Sequence, residues 1–487
     1  MMAATWNDAV SVVGDAPHRK VVANKPLPKG TILLKELPTL TILHKNQWGT
    51  RCNQCFFNPP SSSGGTPQKK LLRCSQCKLF YYCCKECQRN DWNNHHKQEC
   101  QALAARNNHH VKMSHGDHET EVLLADALLV ARVFGLQETN PKQFRAVMDL
   151  VFHEECIEPD HHYSIAKLVR SLGLLSPPKK KVKNNDDDKT ETTLTPTTSD
   201  AISDRDIVEM LARFDANNFG IVDDLLFLFG TGIYPQGAML NHACDHNCAI
   251  SYQFKTSQQI IKTIVDVEQG EELCHPYVDF ASTSVQRRQK LQTTYGFDCQ
   301  CSRCLNQDGS WAQIDEWLTG RIADGGDDHD EVYANLTISM SEQMLQQAAL
   351  TDDMEQELHL VQQCVALRAK ELHPRHLALY QARSQLHTTA MAAGEMSVAR
   401  DQCVEIVKTM ETCFYRPEHP LVGIMQYTLG SLHHSLGEHP QAIKCYQKAL
   451  PILECYHGRD HCMTEGCKGY LQQAREEAEA TASGSVS

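Results

Sequence analysis

The sequence predicts an α+β protein that combines a β-rich core, a cysteine-rich module and an all-helical carboxy-terminal lobe. Three observations favour this class. Strand-like runs broken by turn residues recur within the first 280 residues, eight cysteines lie between Cys52 and Cys100, and apolar residues follow helical spacing after Trp311. The chain has 487 residues, more than one hydrophobic core usually organises, so roughly two to four domains are expected.

The β-rich core is predicted to come from two separate segments. Residues 18–43 contain two or three short runs of β-branched residues and leucines between turn signals, and residues 221–280 return to the same pattern with glycine-rich turns. Between them, apolar residues recur at helical spacing over residues 121–170. Residues 176–200 are polar and lack this periodicity, so we expect a disordered surface insertion there.

Paired cysteine and histidine residues predict a zinc-binding module after the first strands. Because no export signal is evident, clustered cysteines indicate metal before disulfides. Eight ligands suffice for two closed tetrahedral zinc sites, since zinc accepts both thiolate and imidazole. Cys84 and His95, which adjoin ligands, are interpreted as bystanders. The four ligand pairs are Cys52-x2-Cys55, Cys74-x2-Cys77, Cys83-x3-Cys87 and His96-x3-Cys100.

A third zinc site is implied by Cys299, Cys301 and Cys304. These supply three ligands, and a closed structural site needs a fourth from elsewhere in the chain. We expect Cys244 to be that ligand, with Cys248 as the competing choice.

The carboxy-terminal segment contains a weak internal repeat. The motifs HPRH, RPEH and GRDH end at His376, His419 and His461, 43 and 42 residues apart, and each follows a helical stretch. Apolar and small residues between Leu429 and Leu450 occur where tetratricopeptide-type helix pairs place their packing residues. The segment is therefore predicted to be a solenoid of helix pairs, with an ordinary helical bundle as the alternative.

The net charge of −13 is carried by this helical lobe. Residues 305–487 hold 13 lysines and arginines against 26 aspartates and glutamates, so residues 1–304 are neutral with 34 of each. Scattered acidic residues are usually a solvated helical exterior. The functional interpretation is that their field attracts a basic protein substrate, because charged clefts raise encounter rates about ten- to a thousandfold.

The sequence does not predict a membrane-spanning or secreted protein. No run of about eighteen apolar residues occurs, which a spanning helix would require. The amino terminus has Asp8 near its start and lacks the apolar region of a secretory signal. We therefore expect a cytoplasmic or nuclear protein.

The cysteine module resembles the MYND zinc finger, including Tyr82 before Cys83 and Trp92 before the final His-Cys pair. This resemblance implies that the ligand pairs interleave. One ion would take Cys52, Cys55, Cys83 and Cys87, and the other would take Cys74, Cys77, His96 and Cys100.

A second set of motifs resembles the core and post-SET segments of SET-domain lysine methyltransferases. The order of strands, finger, core and helical lobe over residues 18–475 is similar to that of the SET and MYND domain (SMYD) family. The motifs are Asn241-His242-x-Cys244, Gly270-Glu271-Glu272-Leu273, Tyr277 and Tyr295-x-Phe297-x-Cys299-x-Cys301-x2-Cys304.

The resemblance implies methyl transfer from S-adenosyl-methionine to a lysine amine of a protein, with histone or another basic protein as substrate. Such transfer is mainly a problem of orientation, and tyrosines suit it because their rings wall an apolar channel while their hydroxyls orient the amine. By resemblance, the catalytic residues are Tyr295 and the channel-wall Tyr277. The implied cofactor-binding residues are Asn241, His242, Asn217 (with Asn218 as the alternative register), Phe297, Arg19 and His153.

The sequence departs from the family at three places. His18-Arg19-Lys20 aligns with a Gly-x-Gly turn that approaches the cofactor, and larger side chains adopt the positive φ angles of glycine only at a cost. Phe152 replaces a serine before His153, and His246 replaces a proline. The missing Gly-x-Gly turn favours the alternative hypothesis, a weakly active or inactive adaptor that binds partner peptides through the finger and the helical lobe. Tyr277, Tyr295 and Asn241-His242 favour the enzyme.

The resemblance also implies domain boundaries and partners. We expect the amino-terminal SET part at 1–50, the MYND finger at 51–100, a helical SET insertion at 101–204, the core SET at 205–280, the post-SET zinc site at 281–305 and the helical lobe at 306–487. The chain is expected to be a monomer that binds protein substrates and does not bind membranes. The basic stretch 178–183 is interpreted as either a nuclear import signal or a solvated linker, and Asp186–Asp188, which follow it, argue against nucleic-acid binding.

Overall fold

The computed structural model describes residues 6–15, 18–59, 70–108, 118–175, 202–305, 309–320 and 330–484. Within these ranges the predicted α+β class is confirmed, because strands occur up to residue 275 and helices alone follow from residue 284. The polar insertion 176–200, with its basic stretch 178–183, lies outside the described residues.

The described strands are short, at two to six residues each. They are β1 (Val10–Val13), β2 (Lys20–Ala23), β3 (Ile32–Glu36), β4 (Leu40–Leu43), β5 (Leu72–Arg73), β6 (Tyr81–Tyr82), β7 (Asn218–Val222), β8 (Leu228–Ile233), β9 (Asn241–His242), β10 (Cys248–Gln253), β11 (Gln258–Thr263) and β12 (Cys274–His275).

The described helices fall into an insertion group and a carboxy-terminal group. The insertion group is α1 (Lys85–Asp91), α2 (Lys97–Asn108), α3 (His118–Thr139), α4 (Pro141–Met148), α5 (Pro159–Ser171) and α6 (Asp204–Asn217). The carboxy-terminal group is α7 (Ser284–Tyr295), α8 (Ser302–Leu305), α9 (Ser310–Thr319), α10 (Asp330–Leu350), α11 (Met354–Glu371), α12 (Leu377–Ala393), α13 (Met396–Thr409), α14 (Pro420–Ser435), α15 (His439–Tyr456) and α16 (Cys462–Gly484).

Two antiparallel three-stranded sheets join the two β-rich segments of the sequence. One sheet has the order β10–β11–β3 and the other has the order β4–β8–β7, so strands from residues 32–43 pair with strands from residues 218–263. A short parallel pair, β9–β12, carries the Asn-His motif. The core is therefore one unit into which residues 44–217 are inserted.

A buried ion pair joins the cysteine module to this core. Arg132 on α3 donates to both carboxylate oxygens of Glu99 on α2, at 2.6 and 2.9 Å, and to the carbonyl of Thr41 on β4, at 2.7 Å. Both charged side chains are buried, and a buried pair is tolerated because its remaining hydrogen-bonding groups are satisfied.

The carboxy-terminal helices form antiparallel pairs. Close approach of α14 and α15 depends on two glycines, because an added Cβ would lie 2.7 Å from Tyr446 at Gly430 and 2.7 Å from Ile452 at Gly423. No helix in the described part of the chain is both long and apolar enough to span a bilayer.

The three repeated histidines have a common structural role. The Nδ1 atoms of His376, His419 and His461 each accept the backbone N–H two residues later, at 3.0, 3.2 and 3.3 Å. This satisfies an amide at a helix start that has no partner within its own helix. The sequence repeat therefore marks equivalent starts of α12, α14 and α16.

Candidate active site and zinc centres

The first cysteine cluster of the finger is formed by Cys52, Cys55, Cys83 and Cys87. The Cys55 and Cys83 sulfurs lie 3.6 Å apart, and the Cys83 and Cys87 sulfurs lie 3.5 Å apart. Sulfur atoms bound tetrahedrally to zinc at about 2.3 Å would lie roughly 3.7 Å apart, so this donor set fits the ion.

The second cluster is formed by Cys74, Cys77, His96 and Cys100, all of which are buried. The His96 Nε2 atom lies 3.4 Å from the Cys74 sulfur and 3.5 Å from the Cys77 sulfur. The two clusters combine residues as the resemblance implied. The structure does not bring Cys84 or His95 into either four-residue group, and the Cys84 side chain instead accepts the Cys87 N–H at the start of α1.

The third cluster brings Cys244 to Cys299, Cys301 and Cys304. The Cys244 and Cys304 sulfurs are 3.5 Å apart, which again fits a zinc ion. The competing residue, Cys248, is buried elsewhere, with its sulfur 3.4 Å from the Asn247 Oδ1 atom. This cluster fixes the segment that follows α7, and that segment carries the predicted tyrosine and phenylalanine.

The side chains of the Asn-His motif on β9 are engaged within the protein. The Asn241 amide donates to the Arg19 carbonyl and to the Glu272 carboxylate, both at 2.8 Å. The His242 Nδ1 atom accepts the Tyr277 backbone N–H at 3.0 Å. These bonds set the path of β9 next to Tyr277.

The two predicted tyrosines meet beside this motif. The Tyr277 and Tyr295 ring centroids are 4.7 Å apart, and the Tyr295 hydroxyl lies 3.4 Å from the Tyr277 carbonyl. The Tyr277 hydroxyl donates to the Leu240 carbonyl at 2.7 Å. The ring of Phe297 lies 6.4 Å from that of Tyr277 and 6.2 Å from that of His242. The result is one aromatic cluster drawn from three separate segments.

Both tyrosine hydroxyls are neutral near pH 7. Burial raises the pKa of Tyr295 to about 12 and also raises the pKa of Tyr277 well above its ordinary value. The hydroxyls are therefore hydrogen-bonding groups near pH 7, and not charged bases.

The turn between Tyr295 and Phe297 depends on Gly296. Its φ of 70° lies in the left-handed region, where it ends α7 and lets the chain reverse. A Cβ at this position would lie 3.1 Å from the ring of His153. His153 thus packs behind the turn, with its Nδ1 atom 3.5 Å from a Glu155 carboxylate oxygen.

The remaining predicted cofactor residues lie around the same cluster. The Asn217 amide, at the end of α6, donates to the Val151 and Arg213 carbonyls at 2.6 and 2.8 Å. Arg19 meets the motif through its carbonyl, and Lys20 pairs with Glu272 at 3.2 Å.

A cavity of about 270 Å³ opens between the core and the helical lobe. Its lining includes Tyr277, Tyr295 and Asn217 from the core, and His419 and Tyr456 from the lobe. Among the described residues, those that line it include neither carboxylates nor lysine or arginine. The acidic residues of the lobe therefore do not form the wall of this cavity.

Three histidines line the cavity and are neutral near pH 7; His246 and His275 are buried, and His419 is half-buried. Burial lowers the pKa of His419 to about 4 and that of His275 to about 3, and it also lowers the pKa of His246. His246, which stands where the family has proline, stacks on Phe280 with centroids 5.1 Å apart. The cavity wall is thus uncharged.

Two positioning residues were missed from the sequence. Buried Glu36 accepts the backbone N–H groups of Gln236 and Gly237, at 3.0 and 2.8 Å, in the turn that leads to β9. Asn247 donates to Glu271 and to the Glu272 carbonyl, and it accepts the Cys274 N–H at 2.9 Å. A lone acid at a strand end and an asparagine in a loop carry no sequence signal of such contacts.

Comparison with known proteins gives one family match and several relatives. Residues 51–100 match the MYND finger family model. The human histone-lysine N-methyltransferase SMYD3 is 26% identical over 90% of this chain and 91% of its own. Human N-lysine methyltransferase SMYD2 is 23% identical over 95% of this chain and 96% of its own. The Arabidopsis thaliana histone-lysine N-methyltransferase ASHR1 is 22% identical over 94% of each chain.

Likeness to solved structures is weaker. The SET domain of LSMT bound to lysine and AdoHcy aligns with 97% of this chain and 88% of that chain, at 10% identity and a TM-score of 0.34.

Proposed function

We propose that this chain, a member of the SET and MYND domain family, transfers methyl groups from S-adenosyl-methionine to lysine side chains of proteins. The similarity to lysine methyltransferases extends over 90–95% of the chain. The observation that carries the proposal is the Tyr277–Tyr295 pair, which borders an uncharged cavity beside the Asn241-His242 motif.

The cavity wall favours the reactive form of the lysine. S-adenosyl-methionine, when bound, supplies a methyl group on a positively charged sulfur. The lysine amine must be neutral to accept that group, and desolvation without a nearby carboxylate lowers the pKa of an ammonium. A cavity lined by neutral histidines and tyrosines provides this environment. The tyrosine rings then restrict the amine to one approach, which is an orientation effect.

The aromatic cluster and its surrounding backbone fit the cofactor. We assign cofactor contacts to Asn241, His242, Asn217, Phe297 and Arg19, with His153 supporting the turn behind them. Because the Asn241 amide and the His242 Nδ1 atom already have partners within the protein, these two residues would hold the cofactor mainly through backbone groups. The Phe297 ring offers an apolar face to the adenine or the sulfonium.

The substrate is a protein, and we propose that it is basic, a histone among the candidates. The net charge of −13 over residues 305–487 supports long-range attraction of such a substrate. The uncharged cavity would then select at short range for an apolar neighbour of the target lysine. A cytoplasmic or nuclear location and a monomeric state belong to the same proposal.

The adaptor alternative is supported by His18-Arg19-Lys20 at the position of the Gly-x-Gly turn. Titration of the zinc-loaded chain with S-adenosyl-methionine separates the two hypotheses. Saturable binding supports the enzyme, and no detectable binding supports the adaptor.

The decisive experiment compares Tyr295→Phe with the wild-type chain in transfer of labelled methyl groups to histones and cell extract, followed by mass spectrometry. We expect methyl transfer to fall on the order of a hundredfold because an orienting hydroxyl is lost. Tyr470→Phe is the matched control and should be fully active, because Tyr470 is a half-exposed residue on α16. Equal activity of Tyr295→Phe would show that the catalytic tyrosine is another residue.

A further inference from the structure

Two histidines and a carboxylate meet where the last three helices come together. His434 lies in the last turn of α14, His439 is the first residue of α15, and Glu477 lies on α16. One potential ligand atom from each lies within 4.8 Å of the other two. This cluster contains no cysteine and shares no residue with the three zinc centres.

The orientation of the carboxylate is fixed from one side. The Gln473 amide donates to Glu477 Oε1 at 2.8 Å, which leaves Oε2 facing the two imidazoles. Oε2 lies 2.7 Å from His434 Nε2 and 3.4 Å from His439 Nδ1. The His439 ring is brought back towards His434 by the tight turn at Gly437, whose φ is 73°.

One buried polar atom of the cluster has an ion-pair contact but no hydrogen bond. His439 Nδ1 is buried and makes no hydrogen bond, although it points at a carboxylate oxygen 3.4 Å away. Among the described residues, neither lysine nor arginine pairs with Glu477, whose ion-pair partners are these two histidines. A buried donor or acceptor left unsatisfied is destabilising, so packing alone does not explain this arrangement.

A divalent cation would satisfy all three side chains. Nitrogen and oxygen ligands bound tetrahedrally at about 2.0–2.1 Å lie roughly 3.3–3.4 Å apart, which matches the His439–Glu477 distance. The His434–Glu477 distance would have to open by roughly 0.6 Å. Rotation of the Glu477 side chain, which is 41% exposed, can supply this. Two imidazoles and one carboxylate are typical donors for zinc and similar ions.

We propose that His434, His439 and Glu477 form a fourth metal site, which binds Zn²⁺ with water completing its coordination. The site ties α16 to the turn between α14 and α15. It is distinct from the methyl-transfer site, so it stands or falls independently of the proposed enzyme activity.

The test counts zinc ions on the full-length chain by native mass spectrometry during titration with Zn²⁺. We expect four ions on the wild-type chain, and three on Glu477→Gln and on His439→Gln. Glu476→Gln, the same substitution one residue earlier on α16, should retain four. A wild-type chain that stops at three ions, or a Glu477→Gln chain that binds four, would overturn the proposal.

Hydrogen exchange of α16 gives a second readout that does not depend on ion counting. Addition of the fourth equivalent of Zn²⁺ should slow exchange around Glu477 in the wild-type chain and in Glu476→Gln. It should leave exchange unchanged in Glu477→Gln and in His439→Gln. Equal slowing in all four chains would contradict a site built from these residues.

Discussion

At the scale of single residues, the candidate active site depends on groups that touch no substrate. The Tyr277 hydroxyl donates a hydrogen bond to the Leu240 carbonyl. Leu240 follows the turn in which two backbone N–H groups donate hydrogen bonds to the Glu36 carboxylate. A carboxylate that is only 4% exposed thus sets the position of a tyrosine more than two hundred residues later. Glu36 is therefore a positioning residue.

The buried position of Glu36 predicts a pH effect on stability. Burial raises the pKa of Glu36 from 4.5 to about 7, against the lowering effect of its two amide bonds. Since the folded-state pKa is the higher one, its stabilising contribution is complete below pH 4.5 and is lost as the pH rises through about 7. Glu36→Gln has no such dependence. The wild-type chain loses stability between pH 6 and pH 8, whereas Glu36→Gln does not. The difference in free energy of unfolding between the two chains should therefore fall by on the order of 1 kcal/mol over this range.

This effect can be measured by denaturant unfolding at several pH values. The control is Glu268→Gln, because Glu268 is exposed and its side chain holds no backbone amide of this turn. The difference between wild type and the control should be constant over the same range. A constant difference for Glu36→Gln as well would show that Glu36 is not a buried ionisable group.

At the scale of elements, the turn after α7 links a zinc centre to the aromatic cluster. Gly296→Ala places an L-residue at a φ of 70°, which costs roughly 1–2 kcal/mol, and its Cβ would press on the His153 ring at 3.1 Å. We expect a lower melting temperature and reduced methyl transfer, because Tyr295 and Phe297 flank the residue.

Gly394→Ala is the matched control for that substitution. Gly394 ends α12 at a φ of 79°, and a Cβ there would meet nothing within 4 Å. The Gly394→Ala variant should be destabilised only by the positive φ of its alanine, and the folded protein should remain fully active. Equal loss of activity in both variants would show that Gly296→Ala acts by destabilising the whole fold and not by disturbing the site.

The third zinc centre yields a prediction about ligand identity. Cys244→Ser should lower the zinc content of the purified chain by one ion, because a closed site with three thiolates holds the metal far more weakly. Cys248→Ser should retain the wild-type content, since its sulfur lies outside the cluster. Metal analysis by mass spectrometry distinguishes the two, and the reverse outcome would make Cys248 the fourth ligand.

At the scale of the whole molecule, several hydrogen bonds join the helical lobe to the core beside the cavity. Arg416 donates to the carbonyls of Asp245 and His246, at 3.1 and 2.9 Å. Arg303 donates to the carbonyls of Phe414 and Cys413, and the Tyr415 hydroxyl donates to Asp279 at 2.7 Å. Because His419 and Tyr456 of the lobe line the cavity, the docked lobe forms part of the cavity wall.

Arg416→Gln should loosen this docking. The shorter amide cannot reach both carbonyls, so we expect faster proteolysis between core and lobe and a KM for protein substrate that rises several-fold. The zinc content should not change. Arg459→Gln, an exposed position in the same lobe, is the control and should behave as wild type. An unchanged KM in Arg416→Gln would mean that this contact does not shape the substrate cavity.

The sequence by itself determined the α+β class, the MYND finger and the resemblance to the SET and MYND domain family, because metal ligands and turn residues must recur at fixed spacings to function. It predicted the eight ligands of the finger for the same reason, and the resemblance implied Tyr277 and Tyr295 as site residues. It left Cys244 and Cys248 as alternatives, and it carried no sign of Glu36, Asn247 or Arg416.

Only the tertiary structure decided between Cys244 and Cys248 and revealed the contacts of Glu36, Asn247 and Arg416. Such contacts join segments tens to hundreds of residues apart, and a contact across that distance depends on how the chain folds and not on local spacing. The net charge shows the same division. The sequence located the net charge of −13 in the helical lobe, and the described residues that line the cavity include none of the carboxylates of that lobe. Burial favours an uncharged wall because a lone ionised group there would lose its hydration.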